Sequence, residues 1–333
     1  MLVTLTCPAC GGPLPLSARW LTTRCPYCTA TVTRAARQVE AARYRAALAA
    51  LDGDEAGVVG AEGVGQVRPA RVELQARSGR GGRLEVLGLL ARGARGPALL
   101  VRRARALSER LVLRLARPGD AGALDAAATA LNALQRSEAK GAPTFSRWLP
   151  RVEARGACLG AEALLLSYPP GFVARLDLLR PVGGALDPRH LVWVGKRLLE
   201  LLHFVHQSGW THGALRAPHV LLHPRDHGAW LVGWSAARPI SRGAVEVELR
   251  AWAGLIAGVA ALRGAALPQG LRGVIDGVLG GGEPTGPVRP ADLEDAWALR
   301  AAWDAAARAD FGPARYLRLD LEALPSPISW PVV

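Results

Sequence analysis

Between residues 70 and 118 the chain alternates short apolar runs with breaks. VELQA, LEVLGLL, ALLVRRA and RLVLRLA are separated by Gly or Arg-rich turns. Runs of this length, rich in Val and Leu and closed by turn residues, predict β-strands. The period then changes. GALDAAATALNALQR, Gly122 to Arg136, is built of good helix formers and predicts a helix. Strand-like runs resume around 150–168 and end at Tyr168-Pro169-Pro170-Gly171. Residues 190–207 then place Leu191, Val194, Leu198, Leu201, Leu202 and Val205 at the spacing of one helical face. Helical pattern continues over Glu246 to Leu262, Leu271 to Leu279 and Ala291 to Arg308. This larger part is β-rich first and α-rich after, with a break near residue 170. That order predicts an α+β protein of two lobes.

Ahead of it, residues 34–51 lack Gly and Pro and predict a helix with Tyr44, Leu48 and Leu51 on one edge, and residues 52–69 are Gly-rich and read as a linker. Residues 1–33 carry two CPxC pairs, Cys7/Cys10 and Cys25/Cys28, fourteen residues apart. Each pair is a short turn that aims two thiolates at one point, and two such turns supply the four sulfurs of a tetrahedral Zn2+ site. With all four positions filled by protein, the zinc would be structural. Metal binding would supply folding free energy that so small a segment cannot gain from its core. The unit resembles a zinc ribbon, a fold used to dock protein or nucleic acid. Cys158 stands apart and reads as a small core residue.

The net charge of +13 changes this picture little. The only lysines are Lys140 and Lys196, so the charge is almost all Arg, spread along the chain rather than gathered in one block. A solvated Arg-rich surface accounts for it, and a nucleic-acid footprint is the alternative. No apolar run is long enough to span a bilayer, and MLVTLTCPAC lacks the basic and apolar regions of a signal peptide. A cytoplasmic protein without a membrane partner is the expectation.

The chemistry turns on one stretch, THGALRAPHVLLHPR, Thr211 to Arg225. It holds three histidines and no carboxylate. Together with the β-then-α order, it resembles a bacterial protein kinase-like domain over roughly residues 80–305. The resemblance implies a bilobal protein-kinase-like fold: a β-rich N-lobe over 70–170, an α-rich C-lobe over 171–310 and a tail over 311–333. Set against the kinase loop H-R-D-L-K-P-E-N-I-L-L, His212 takes the His and Ala214 takes the catalytic Asp. Arg216 takes the Lys and His219 the metal-binding Asn. Gly233-Trp234-Ser235 takes D-F-G, so Gly233 replaces the second metal ligand. Arg114 stands at the strand lysine. Its partner glutamate would fall near Ala127, with Asp125 the only acid nearby. Gly93 and Gly96 resemble part of a Gly-rich phosphate loop. Glu248 stands for the helix carboxylate that braces the catalytic loop, and nothing resembles A-P-E.

Phosphoryl transfer needs a carboxylate to orient the hydroxyl, oxygen ligands for two magnesium ions and a lysine held by a glutamate. Here those places hold methyl, hydrogen, imidazole and guanidinium. From Thr211 to Val245 the only acid is Asp226, in a turn between strands. The resemblance therefore implies a pseudokinase that does not use ATP with Mg2+ and acts as a scaffold or regulatory subunit for another protein. An atypical ATP-binding serine/threonine kinase, with an acid such as Asp125 swung in, is one alternative; a nucleic-acid-binding zinc-ribbon protein is the other. The clustered histidines read as packing groups, and the tail is expected to dock on its own fold or on a partner.

Overall fold

The computed structural model describes residues 22–25, 27, 31–33, 71–93, 95–103, 110–168, 174–179, 181–223, 226–280, 288 and 290–321. The chain divides into two compact units, Met1–Arg68 with Gly312–Arg318, and Pro69–Phe311 with Leu319–Val333. In the first, β1 (Thr22–Arg24) and β2 (Thr31–Thr33) pair antiparallel, with Arg24 opposite Thr31. The connection between them carries the second CPxC sequence, and Cys25 is buried. Tyr27 meets Tyr316 edge-on at 5.5 Å between ring centroids. Cys7, Cys10 and Cys28, the helix expected over 34–51 and the linker over 52–69 lie outside the described residues.

The second unit opens with six antiparallel strands: β3 (Arg71–Gly79), β4 (Gly82–Gly93), β5 (Gly96–Arg103), β6 (Leu111–Leu115), β7 (Val152–Cys158) and β8 (Ala161–Ser167). They close into a barrel in the order β3-β4-β5-β6-β8-β7. Strand β3 makes the closure. Its first half pairs with β4 (Arg71 with Glu85, Leu74 with Gly82), and its second half with β7 (Gln75 with Ala157, Gly79 with Ala154). A closed barrel has no exposed edge to recruit another strand. Alternate residues fill the interior: Leu74, Leu84, Val101, Leu111, Leu113, Ala163 and Leu165, with Cys158 among them as expected. Closure demands close backbone approach. A Cβ on Gly156 would lie 2.0 Å from the Gln75 oxygen, and one on Gly79 would lie 2.1 Å from the Glu153 oxygen.

Between β6 and β7 runs α1 (Ala121–Gln135), whose buried stripe is Leu124, Ala127, Ala130, Leu131 and Leu134. A short helix, α2 (Ala142–Phe145), follows it and was not legible in the sequence. After β9 (Ala174–Arg175) comes α3 (Pro188–Gln207). Asp187 caps it by accepting from the Arg189 amide, and Pro188 starts it with its φ already suited to the first turn. Then come β10 (Trp210–Thr211), β11 (Val220–His223), β12 (Gly228–Leu231) and β13 (Arg238–Pro239). The lobe ends in α4 (Ala244–Leu262), α5 (Gln269–Leu279) and α6 (Ala296–Phe311). The last helix starts at Ala296 rather than 291, because residues 290–294 form a 3-10 turn first.

Two tryptophans lie at the centre of the helical core. Trp252 and Trp303 cross edge-on at 5.2 Å, and their Nε1 groups donate to the Gly195 and Val192 carbonyls at 3.1 and 3.0 Å. Both rings lie against α3, where Gly195 leaves them room. The start of the tail docks on its own unit: Leu319 is buried and the Val182 amide donates to the Asp320 oxygen at 3.1 Å. Residues 322–333 lie outside the described set.

Because Gly156 sits against the Gln75 carbonyl, Gly156→Ala is expected to cost about 1–3 kcal/mol through a forced backbone shift. Urea unfolding measures it; an unchanged midpoint would mean that β3 does not close the barrel in solution.

Candidate functional site

The loop from Thr211 to His219 leaves the end of α3 and is tied down from behind by one buried carboxylate. Glu248, on α4, is 5% exposed. It accepts from the Gly213 amide at 2.8 Å, from the His212 amide at 3.3 Å and from His206 Nε2 at 2.8 Å. Burial acts to raise its pKa, yet the His206 hydrogen bond, the charges of His212 and His206 and the Gly213 amide together hold it below the ordinary carboxylate value. This is the bracing role the sequence assigned to Glu248.

His212 is fully buried, and burial pushes its pKa down. Its Nε2–H donates to the Val232 carbonyl at 2.8 Å, while Nδ1 accepts from the Ala214 amide at 3.3 Å. Those two bonds fix one neutral tautomer. Its ring meets Trp234 edge-on at 4.7 Å. Trp234 is itself buried, donates from Nε1 to the Leu231 carbonyl at 2.8 Å, and lies in a turn packed against α1. Gly213 is required by shape: its φ is +73°, and a Cβ there would lie 2.2 Å from the Ala236 oxygen.

At the two metal-ligand positions the structure shows more than a loss. Gly233 has φ +86°, and a Cβ built on it would fall 2.6 Å from three atoms of the His219 ring. The imidazole therefore occupies the volume an aspartate at 233 would need. His219 Nδ1–H donates to the Ala214 carbonyl at 2.7 Å, and its Nε2 accepts from the Arg216 guanidinium at 3.2 Å. Burial lowers its pKa to about 4, with the charges of His212, Arg216 and Arg114 adding to the effect against the Ala214 hydrogen bond. A neutral imidazole with both nitrogens engaged has no lone pair left for a metal.

Arg114 lies on β6 between the buried Leu113 and Leu115. Its Nε is buried and has no hydrogen-bond partner. Where a glutamate partner would sit, α1 presents the buried methyl of Ala127. Asp125 does not replace it. Asp125 accepts from Arg155 on β7 at 2.9 Å, and Arg155, 8% exposed, also pairs with Glu162 at 2.7 Å. Nothing in the spacing of the chain marks Arg155 as the partner of Asp125. Asp226, as expected, sits in the β11–β12 turn, where its amide donates to His223 Nδ1 at 3.0 Å. Gly93 and Gly96 face each other across a two-residue hairpin turn, and Gly96 lies where a Cβ would be 1.9 Å from the Leu115 oxygen. From that turn Arg95 donates to the Ser235 carbonyl at 3.0 Å, bridging the barrel to the turn after Gly233.

A further feature was missed. In kinases the stretch between D-F-G and A-P-E holds the regulatory phosphosite. Here Ala237 to Gly243 is the whole of it: β13 pairs straight back on β10, the Ile240 amide donates to the Gly209 carbonyl at 2.8 Å, and α4 starts at Ala244. The only sequence signal was the missing A-P-E.

The histidines are all engaged. His190 accepts from Trp193 Nε1 at 3.2 Å, His227 stacks on Trp193 at 4.4 Å, His203 bonds Asp295 at 3.0 Å, and His223 meets Asp226. Among the described residues no group of three or more His, Cys, Asp or Glu side chains is placed to hold a metal, and no helix is long and apolar enough to cross a membrane.

A β-lobe with one helix against it, followed by a helical lobe whose first long helix ends in a carboxylate-braced loop, is the protein-kinase-like fold. One solved structure supports that fold. The chain is similar to vaccinia related kinase 3, at 15% identity over 79% of this chain and 97% of that one, with a TM-score of 0.51. It also matches the PknI kinase domain of Mycobacterium tuberculosis, at 17% identity over 67% of this chain and 95% of that one, with a TM-score of 0.49. No protein-family profile matches the chain, and no curated protein matches it significantly.

The His219 geometry has a consequence for acid stability. Its folded pKa, about 4, lies below the ordinary histidine value of 6.5, so the unfolded chain binds the extra proton first. Stability is therefore expected to fall as pH drops from about 6.5 towards about 4, since protonating Nε2 breaks the Arg216 contact. Urea unfolding of wild type and His219→Asn across that range measures the difference between the two curves. Parallel curves would show that His219 titrates normally.

Proposed function

We propose that the chain is a catalytically inactive, kinase-like scaffold or regulatory subunit, with its N-terminal cysteine unit serving as a zinc-bound docking module for another protein. One observation carries the inactive reading: the His219 ring fills the space over Gly233. Both aligned metal positions differ from a kinase's, and with the His219 ring in place residue 233 has no room for a side chain. Neither acid the sequence offered compensates: Asp125 is held by Arg155, and Asp226 sits in the β11–β12 turn. The shortened segment from Ala237 to Gly243 leaves little chain to carry a regulatory phosphosite.

The zinc reading rests on the two CPxC pairs and on the β1–β2 hairpin, whose connection carries the second pair and whose Cys25 is buried. A nucleic-acid role has less support. Many surface arginines are paired with carboxylates, among them Arg77 with Glu162, Arg102 with Glu85, Arg189 with Asp187 and Arg308 with Asp304. They do not form one free cationic face.

Three measurements test this. Wild-type protein with labelled ATP and Mg2+ or Mn2+ is expected to transfer no phosphate, to itself or to a general substrate; transfer lost on Ala214→Thr would end the scaffold reading. Gly233→Asp alone is expected to destabilise the fold by about 1–3 kcal/mol, from strain at positive φ and from the His219 contact. Adding His219→Asn should recover part of that cost, and equal stability of the single and double variants would show that the two sites do not interlock. Elemental analysis should find one zinc per chain, lost when Cys25 and Cys28 are both changed to Ser.

A further inference from the structure

We propose that residues 312–318 form a strap that the zinc-bound cysteine unit holds through Tyr27, so that loss of the metal frees the strap and loosens the C-terminal tail behind it. This rests on the zinc reading above and names how that unit is regulated within its own chain.

Local geometry sets the strap apart. Gly312, at φ +76°, closes α6 with a left-handed residue, and Pro313 cannot continue the helix. The chain then runs on without helix or strand as far as Asp320. Pro313, Ala314, Arg315 and Arg318 are exposed, whereas Tyr316 and Leu317 are half-buried. Gly312–Arg318 belongs with Met1–Arg68, while Phe311 before it and Leu319 after it belong to the kinase-like unit. Beyond the strap, Leu319 is buried, the Val182 amide donates to the Asp320 carbonyl at 3.1 Å and Leu321 pairs with Pro181. The strap is therefore fixed at both ends in one unit, and its middle belongs to the other.

The contact in that middle is aromatic. Tyr316 meets Tyr27 edge-on, at 5.5 Å between centroids and 64° between planes. Ring quadrupoles favour this arrangement. Tyr27 stands between the two thiols of Cys25-Pro26-Tyr27-Cys28, and the β1–β2 hairpin that leads to it has only three residues in each strand. A two-stranded hairpin is marginal in water by itself. Metal held by Cys25 and Cys28 fixes the turn between them, and with it the direction of the Tyr27 ring. Without the metal that constraint is gone, and Tyr316 loses the surface it leans on. A freed strap then opens the chain that enters the contacts of Leu319, Asp320 and Leu321, because local opening spreads from the least stable segment.

The test is hydrogen exchange of the full-length protein read by mass spectrometry, with zinc content measured on the same samples. Peptides covering 312–318 are expected to be protected while zinc is bound. Stripping the metal with a chelator should speed their exchange at least about tenfold and speed that of the peptide holding Val182, while peptides of α3 keep their rates. Should chelation precipitate the protein, the double variant Cys25→Ser, Cys28→Ser supplies the zinc-free state. Tyr316→Ala should reproduce the faster exchange at 312–318 with one zinc per chain still bound, and Tyr316→Phe, which keeps the ring, should match wild type. Absence of zinc from the purified protein defeats the zinc reading and the strap together. One zinc per chain with exchange at 312–318 indifferent to its removal, or unchanged in Tyr316→Ala, overturns the strap alone and leaves the zinc reading standing.

Discussion

The loop at the centre of this protein has its shape because a single carboxylate holds it. Glu248 reaches from α4 and satisfies two backbone amides, His212 and Gly213, together with the side chain of His206 at the end of α3. Buried amides left without acceptors would each cost about 1–3 kcal/mol, so the brace joins α3, α4 and the loop into one unit. His212 continues it forward, through Val232 at the end of β12 and edge-on to Trp234. None of these contacts uses a group that would take part in phosphate transfer. The scaffold of such a loop is separable from its chemistry, because the brace is made of backbone amides and buried side chains behind it.

That separation explains what could be read from the sequence. The apolar periods located most described elements, because a strand with one face in a barrel and a helix with one face on a core must repeat at two and at about 3.6. The positions of His212, Ala214, His219 and Gly233 followed from the spacing of the loop. What spacing could not give is how substituted residues fill the room they were left. His219 looked like a poor magnesium ligand; its ring instead lies on Gly233, and each residue makes sense only with the other. Pair relations across fourteen positions have no periodic signature.

Long-range pairing hid the rest. Asp125, on α1, seemed free to enter the cleft because its partner, Arg155, is thirty positions away on strand β7. The closure of the barrel by β3 was likewise invisible. VELQA reads as an ordinary strand, and the residues that permit closure are Gly79 and Gly156, whose need for bare backbone appears only when Gln75 and Glu153 are beside them. Closure also stiffens the lobe that presents Arg114 and Arg95. Two of the barrel's ion pairs, Arg77 with Glu162 and Arg155 with Glu162, converge on one carboxylate of β8.

The changes at the cleft share a direction. The positions aligned with the catalytic and metal-binding acids hold Ala214 and Gly233, while the bracing acid is kept as Glu248 and the basic positions stay basic at Arg114 and Arg216. A buried guanidinium whose Nε has no partner costs stability, and an apolar residue at 114 would relieve it. On the other side of the loop lie the brace at Glu248, the close fit of Gly213 to Ala236 and the edge-on contact of His212 with Trp234. The loop therefore keeps one shape through contacts made behind and beside it, and the contact of the His219 ring with Gly233 belongs to that same packing.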